Sequence, residues 1–275
     1  MSSSGPLQLP PGLDRALAER EAQVERHWEG GPRTYLLART PSGLVFGRFS
    51  TDPDDGAVLA HETSVRAVLA GERGPLRVPA VLAGGADWML EQAVTPDTDP
   101  AGAAQAAVSA SARLAELALP EPPATSSRRR ARLGYRIRLL RRPRLVRELA
   151  RARRMVAASG LPLVSSHGDY FPGNVLAAEG SAWVIDWELC GRLPLGYDLL
   201  HYWTDAEDEE ARAIALQGAV ELAGPARRAE LMQLRYAVAL RAVASKLAAA
   251  AARDRDPDGA ARLLALLPEL REAAR

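Results

Sequence analysis

Apolar and polar positions change period along this chain, and the changes divide it into a strand-rich first part and a mainly helical remainder. Thr34-Tyr-Leu-Leu-Ala-Arg and Leu44-Val-Phe-Gly-Arg-Phe are short runs of β-forming residues on either side of Pro41-Ser-Gly, which predicts a hairpin. Val58, Leu59, Val65, Val68 and Leu69 then recur at helical spacing ahead of Gly71, predicting a helix over residues 57–70. Val78-Pro-Ala-Val-Leu and Trp88-Met-Leu-Glu-Gln-Ala predict two more strands. Residues 95–100 are rich in proline and aspartate without apolar periodicity, so they read as a linker, with units at 1–94 and 95–275. The helical remainder is interrupted once, where Asn174-Val-Leu and Trp183-Val-Ile-Asp flank Glu179-Gly180 and predict a second small hairpin. No fixed-period repeat is present, and the alanine tract over 246–252 reads as plain helix.

Composition narrows the classes. A chain of 275 residues that is 47% hydrophobic fills a substantial core, and a net charge of +1 gives no global field to dictate a nucleic-acid or membrane partner. The single cysteine, Cys190, excludes an internal disulfide framework and a thiolate-rich metal site, consistent with a reducing cytoplasm. No basic leader with an apolar core and no apolar run of membrane-spanning length is present, so a cytoplasmic location is expected.

The chemistry lies in Ser166-His167-Gly168-Asp169-Tyr170-Phe171-Pro172-Gly173-Asn174-Val175-Leu176. A carboxylate stands five residues before an amide, and Asp186 follows twelve residues after that. Phosphoryl transfer needs such groups: a carboxylate to orient and deprotonate the attacking hydroxyl, and hard oxygen ligands to hold Mg²⁺ on the phosphates. Asn174 and Asp186 can supply those oxygens, and a hairpin between them returns the second beside the first.

His167, Asp169, Asn174 and the later Asp186 follow the order of a protein-kinase catalytic loop and metal aspartate. Gly168 in place of the kinase arginine, Ile185-Asp186-Trp187-Glu188 in place of Asp-Phe-Gly, and the trailing Leu193-Pro-Leu-Gly-Tyr-Asp198-Leu-Leu resemble the aminoglycoside phosphotransferase and choline kinase-like family. The resemblance implies an α+β, bilobal protein-kinase-like fold with a small β-rich N-lobe and a larger, mainly helical C-lobe. It also implies an ATP- and Mg²⁺-dependent small-molecule kinase. Asp169 would be its catalytic base, Asn174 and Asp186 its metal ligands, His167 a buttress of the loop, and Asp198 a tie for the segment after the metal aspartate.

The same resemblance assigns nucleotide contacts. Gly30 and Gly31, in Glu29-Gly-Gly-Pro just ahead of the first predicted strand, could approach phosphate through their N–H groups or form an ordinary turn. Arg48, ending the second strand, takes the place of the phosphate-contacting cation, with Glu62 as its partner. The Glu91 carbonyl and the Ala93 N–H would address the adenine edge.

Other features have simpler readings. The arginine-dense segment 128–154 carries interspersed leucines, so amphipathic helices with a solvated face are preferred to a nucleic-acid surface. The acidic run 205–210 could meet a cationic substrate, but Thr204 with Glu207 forms a capping-box pattern. Trp187 and Trp203 fit either a substrate cleft or the core. The acceptor stays open among aminoglycosides, other antibiotics, amino alcohols, sugars and nucleosides. A catalytically silent nucleotide-binding regulator of the same fold is the alternative.

Overall fold

The computed structural model describes residues 7–30, 33–72, 74–122, 142–250 and 257–274. Its first part is an antiparallel five-stranded sheet in the order β1-β2-β3-β6-β5, from Gln23–Gly30 (β1), Arg33–Thr40 (β2), Gly43–Ser50 (β3), Val81–Gly84 (β5) and Trp88–Gln92 (β6). The predicted hairpin is β2–β3, in which Tyr35 faces Arg48 and Leu37 faces Phe46. Side chains alternate across a strand, so the sheet has two distinct faces. One carries Leu36, Ala38, Val45 and Phe49, which pack with Leu90 and with Leu13 and Leu17 of helix α1 (Pro11–Ala18). The other carries Arg33, Tyr35, Phe46 and Arg48, where the rings of Trp28, Tyr35 and Phe46 meet with centroids 5.7–5.9 Å apart.

Several boundaries differ from the sequence expectation. Strand β1 is unpredicted because Gln-Val-Glu-Arg-His-Trp-Glu-Gly is mostly polar and edges the sheet, with only Val24 and Trp28 as large apolar residues. Gly30 therefore closes a strand instead of preceding the first one. Helix α2 runs Pro53–Leu69, starting ahead of residue 57, because the Asp52 side chain accepts the Asp54 N–H at 2.9 Å and Pro53 occupies the first turn. The strand expected from Val78 begins at Val81, after a two-residue strand, Leu76–Arg77 (β4), that pairs elsewhere.

Residues 93–99 have no regular structure, after which helices dominate: α3 (Pro100–Ala115), α4 (Pro143–Ala158), α5 (Tyr197–Asp205), α6 (Glu209–Ala223), α7 (Arg228–Ala250) and α8 (Pro257–Ala273). Ala104, Ala107 and Ala110 are fully buried on α3, and these small side chains belong to one core with Ala215 and Ala219 of α6 and Leu199, Leu200 and Leu231. The second predicted hairpin is present as β8 (Val175–Ala178) and β9 (Ser181–Val184), and β4 runs parallel to β9. Leu163–Ser166 (β7) pairs with Gly191–Pro194 (β10).

The capping-box reading of Thr204 and Glu207 is corrected. Thr204 lies inside α5 and its hydroxyl donates to the His201 carbonyl, while Asp208 caps α6 by accepting the Ala211 N–H at 2.8 Å. Trp187 and Trp203 are both buried in the core. Of the arginine-dense segment, 128–141 lies outside the described residues. The remainder is α4, whose Leu145 and Leu149 pack on the core beneath exposed arginines. Among the described residues no helix is long and apolar enough to cross a membrane.

Candidate active site

Strand β7 ends by delivering His167 and Asp169 into an irregular loop, and the loop is fixed from both sides. Asp198, at the start of α5, accepts the backbone N–H groups of His167 at 2.8 Å and Gly168 at 3.1 Å. Burial pushes its carboxyl up to about 6, with those two N–H groups pulling the other way. Asp198 thus ties down the loop that carries Asp169, in place of the hold expected on the segment after Asp186. The fully buried His167 ring donates from Nε2 to the Ile185 carbonyl at 2.8 Å and accepts the Asp169 N–H on Nδ1 at 3.3 Å. That pair of bonds requires the neutral Nε2–H tautomer, and burial lowers the imidazole to about 4, so the His167 ring is uncharged and both its nitrogens are taken up in bracing the loop.

Asn174 donates from Nδ2 to the Asp169 carbonyl at 3.0 Å and lies 3.5 Å from the Asp169 carboxylate. Its amide oxygen is consequently turned away from Asp169. The Ile185 N–H donates to the Asn174 carbonyl at 3.0 Å, extending the β8–β9 ladder by one step and bringing Asp186 to the same end of the hairpin as Asn174. Asp186 adopts a left-handed backbone (φ 63°, ψ 60°), unusual for a non-glycine residue and a form of strain associated with functional sites. Its Oδ1 is enclosed without a hydrogen-bond partner. Burial, then Glu188 and Glu62, push its carboxyl up to about 7, against the pull of Arg48 and Arg33. A desolvated carboxylate oxygen with no bonded donor, at the end of the hairpin that also carries Asn174, suits a hard cation. Among the described residues no group of three or more His, Cys, Asp or Glu is placed to bind a metal. Two protein oxygens fit Mg²⁺, which takes the rest of its octahedron from phosphates and water.

Arg48 is buried on β3 and bonds Glu62 of α2, as expected; its Nη1 lies 3.6 Å from Asp186 Oδ1. Sequence reasoning missed the charges around this pair. Arg66 donates to Glu62 at 3.1 Å and bonds Glu91, while Arg33 binds Asp55 through two 2.7 Å contacts, reaches Glu188 at 2.8 Å and stands 3.9 Å from Asp186. The only sequence signal for Arg66 was its position four residues after Glu62, one helical turn away. One of the two backbone groups expected to address adenine is taken up within the chain. The Ala93 N–H is donated to the Leu44 carbonyl at 3.1 Å, and the Glu91 side chain is taken up by Arg66. Gly30 pairs with Arg33 across the β1–β2 turn, and Gly31 lies outside the described residues.

The sequence matches the model of the phosphotransferase enzyme family over residues 23–231, most of the chain and the whole of this site. The chain belongs to that family. Solved structures with the same fold include the macrolide 2'-phosphotransferase MphH of Brachybacterium faecium (19% identity, TM-score 0.58, covering 95% of this chain and 96% of that one). They also include an ethanolamine kinase of Plasmodium vivax (14%, TM-score 0.63, 94% and 85%). A third is the streptomycin–ATP ternary complex of APH(2'')-IIa (11%, TM-score 0.58, 96% and 99%). Among curated proteins none matches. The phosphotransferase fold thus accounts for a β-rich N-terminal region and a helical C-terminal region around the loop bearing Asp169.

Proposed function

We propose that this phosphotransferase is an ATP- and Mg²⁺-dependent kinase that phosphorylates a hydroxyl of a small molecule, with Asp169 as catalytic base. The observation that carries the reading is the joint placement of Asp169, Asn174 and Asp186. One amide holds the Asp169 backbone carbonyl at 3.0 Å, and a hairpin returns an enclosed, unbonded Asp186 oxygen to the same end. Asn174 and Asp186 would hold Mg²⁺ against the nucleotide phosphates, where the cation neutralises the charge that moves with the transferred group. Asp169 orients the acceptor hydroxyl and takes its proton as the oxygen attacks. Arg48, held in place by Glu62, supplies fixed positive charge beside the phosphates and needs no reorganisation during transfer. The ATP-bound neighbour supports the choice of nucleotide. The two units at 1–94 and 95–275, and a cytoplasmic location, are part of the same proposal.

The test is Asp169→Ala. The kcat for acceptor-dependent ADP release is expected to fall by about 10²–10⁴-fold while the Kd for ATP stays within about threefold, because Asp169 is assigned to the hydroxyl and not to the nucleotide. A variant that turns over near the wild-type rate sinks the assignment.

A further inference from the structure

Beside Asp169 lies a second cluster that phosphoryl transfer alone does not use. Asp198 pins the start of α5 beneath the catalytic loop. Tyr197, His201 and Asp205, spaced four residues apart, therefore form a stripe that starts at the loop and runs along the helix for about 12 Å. Helix α7 lays two cations across it. Arg241 donates from Nη1 to the Tyr197 hydroxyl at 2.6 Å, with its guanidinium 5.7 Å from that ring's centroid. Lys246 donates to Asp205 Oδ1 at 2.7 Å. His201 lies between them, its ring 6.0 Å from Tyr197 and its Nε2 3.6 Å from Asp205. The His201 Nδ1 is enclosed and has no hydrogen-bond partner. Tyr197 is the chain neighbour of Asp198, which holds the His167 and Gly168 N–H groups, so the guanidinium bonded to the Tyr197 hydroxyl stands at the end of the stripe next to the loop that carries Asp169.

The charges of this cluster select against a cation. Asp205 is matched by Lys246, whereas the hydrogen bond of Arg241 goes to a neutral phenol and, among the described residues, to no carboxylate. A polyamine would set its ammonium groups against Arg241 and find the carboxylate of the stripe, Asp205, already bonded to Lys246, a repulsive element of the kind that makes a site specific. Resting on the reading of Asp169 as the base that faces the acceptor, we infer that the acceptor bears an oxyanion, a carboxylate or a phosphate ester, held by the exposed guanidinium of Arg241. The guanidinium fork matches the paired oxygens of either group. The phosphorylated hydroxyl then lies within about two helical turns of that anion, the length of the stripe.

The experiment measures ADP release with ATP and Mg²⁺ for hydroxy acids and sugar phosphates, each paired with its neutral counterpart, alongside aminoglycosides. It is repeated in Arg241→Gln, Arg241→Lys and Asp169→Ala. The anionic member of a pair is expected to be favoured at least tenfold in kcat/KM. Arg241→Gln raises its KM at least tenfold without moving the KM for ATP, and Arg241→Lys recovers part of the loss; whether acids or phosphates respond identifies the anion. Lys246 is the only lysine of the chain. Amine-selective acylation read by peptide mass spectrometry, with the N-terminal amine as internal reference, therefore reports on this cluster independently of turnover. The preferred acceptor at saturation should slow Lys246 labelling at least threefold. Preference for neutral or polycationic acceptors, an unchanged KM in Arg241→Gln, or labelling insensitive to an anionic acceptor overturns the charge assignment and leaves the kinase standing. Transfer to no acceptor, or transfer that survives Asp169→Ala, overturns the kinase reading and this inference with it.

Discussion

Glu62→Gln isolates the charge at the centre of the arginine network while keeping the shape of the side chain. Glu62 is fully buried, and its Oε1 accepts from Arg48, from Arg66 at 3.1 and 3.3 Å, and from the Trp187 N–H at 3.2 Å. Burial alone would push this carboxyl up, yet the two guanidiniums hold it down at about 2. A carboxyl held that far below its ordinary value near 4.5 contributes about 3 kcal/mol of stability. Removing one partner of a buried ion pair costs about 3–5 kcal/mol. Because Arg66 keeps Glu91 and Arg48 keeps Asp186 at 3.6 Å, the lower figure applies. For a chain of this size about 3 kcal/mol lowers Tm by about 6–10 °C, measured by circular dichroism at pH 7. A folded-state value below the unfolded one means the contribution is complete above about pH 4.5 and is lost as pH falls through about 2. The gap between wild type and variant should therefore narrow on acidification. A Tm within 2 °C of wild type at pH 7, or a gap constant down to pH 3, refutes the argument; those thresholds are roughly the resolution of the expected shift.

Gly168→Ala places a Cβ 2.5 Å from the Leu189 carbonyl oxygen at φ +84°, and a loss of about 2–4 kcal/mol with a collapse of kcat is expected in melts and rate assays run together. His167 is lowered to about 4 in the folded protein, so its contribution is complete above the unfolded value of about 6.5 and is lost as pH falls toward 4. His167→Gln should flatten that limb of the stability curve in denaturant titrations at pH 7 and pH 5. Asp208→Ala removes the α6 cap and is expected to cost about 1 kcal/mol, whereas Glu207→Ala leaves Tm nearly unchanged, a contrast opposite to the capping-box reading.

What the sequence disclosed follows from how far apart the interacting residues lie. Asp169 and Asn174 are neighbours in one loop, and Asn174 meets Asp186 through a hairpin whose two strands and turn are contiguous, so order and spacing nearly determine the geometry. Arg48 and Glu62 were recoverable because one strand leads directly into one helix. Arg33 with Asp55 and Arg66 with Glu91 depend instead on how the sheet order β1-β2-β3-β6-β5 sets α2 against the strands, which no local pattern states. The early start of α2 was legible in Asp52-Pro53, a cap followed by a first-turn proline, but apolar periodicity alone begins later. Tyr197 and Arg241 meet across helices 44 residues apart, beyond the reach of spacing arguments.

The network around Asp186 also gives a physical reason for arginine at position 48. Arg33 joins Asp55 to Glu188, Arg48 joins Glu62 to Asp186, and Arg66 joins Glu62 to Glu91. Alternating charges thereby run from the first residue of β2, through Asp186 and α2, to β6. Each link requires one cation to hold two carboxylates in different directions, which a rigid guanidinium with five donors does without reorienting. An ammonium at residue 48 carries the same charge but concentrates it at one point. In Arg48→Lys the bond to Glu62 and the approach to Asp186 compete, so residues 48 and 186 lose their fixed relation even though the net charge of the site is unchanged.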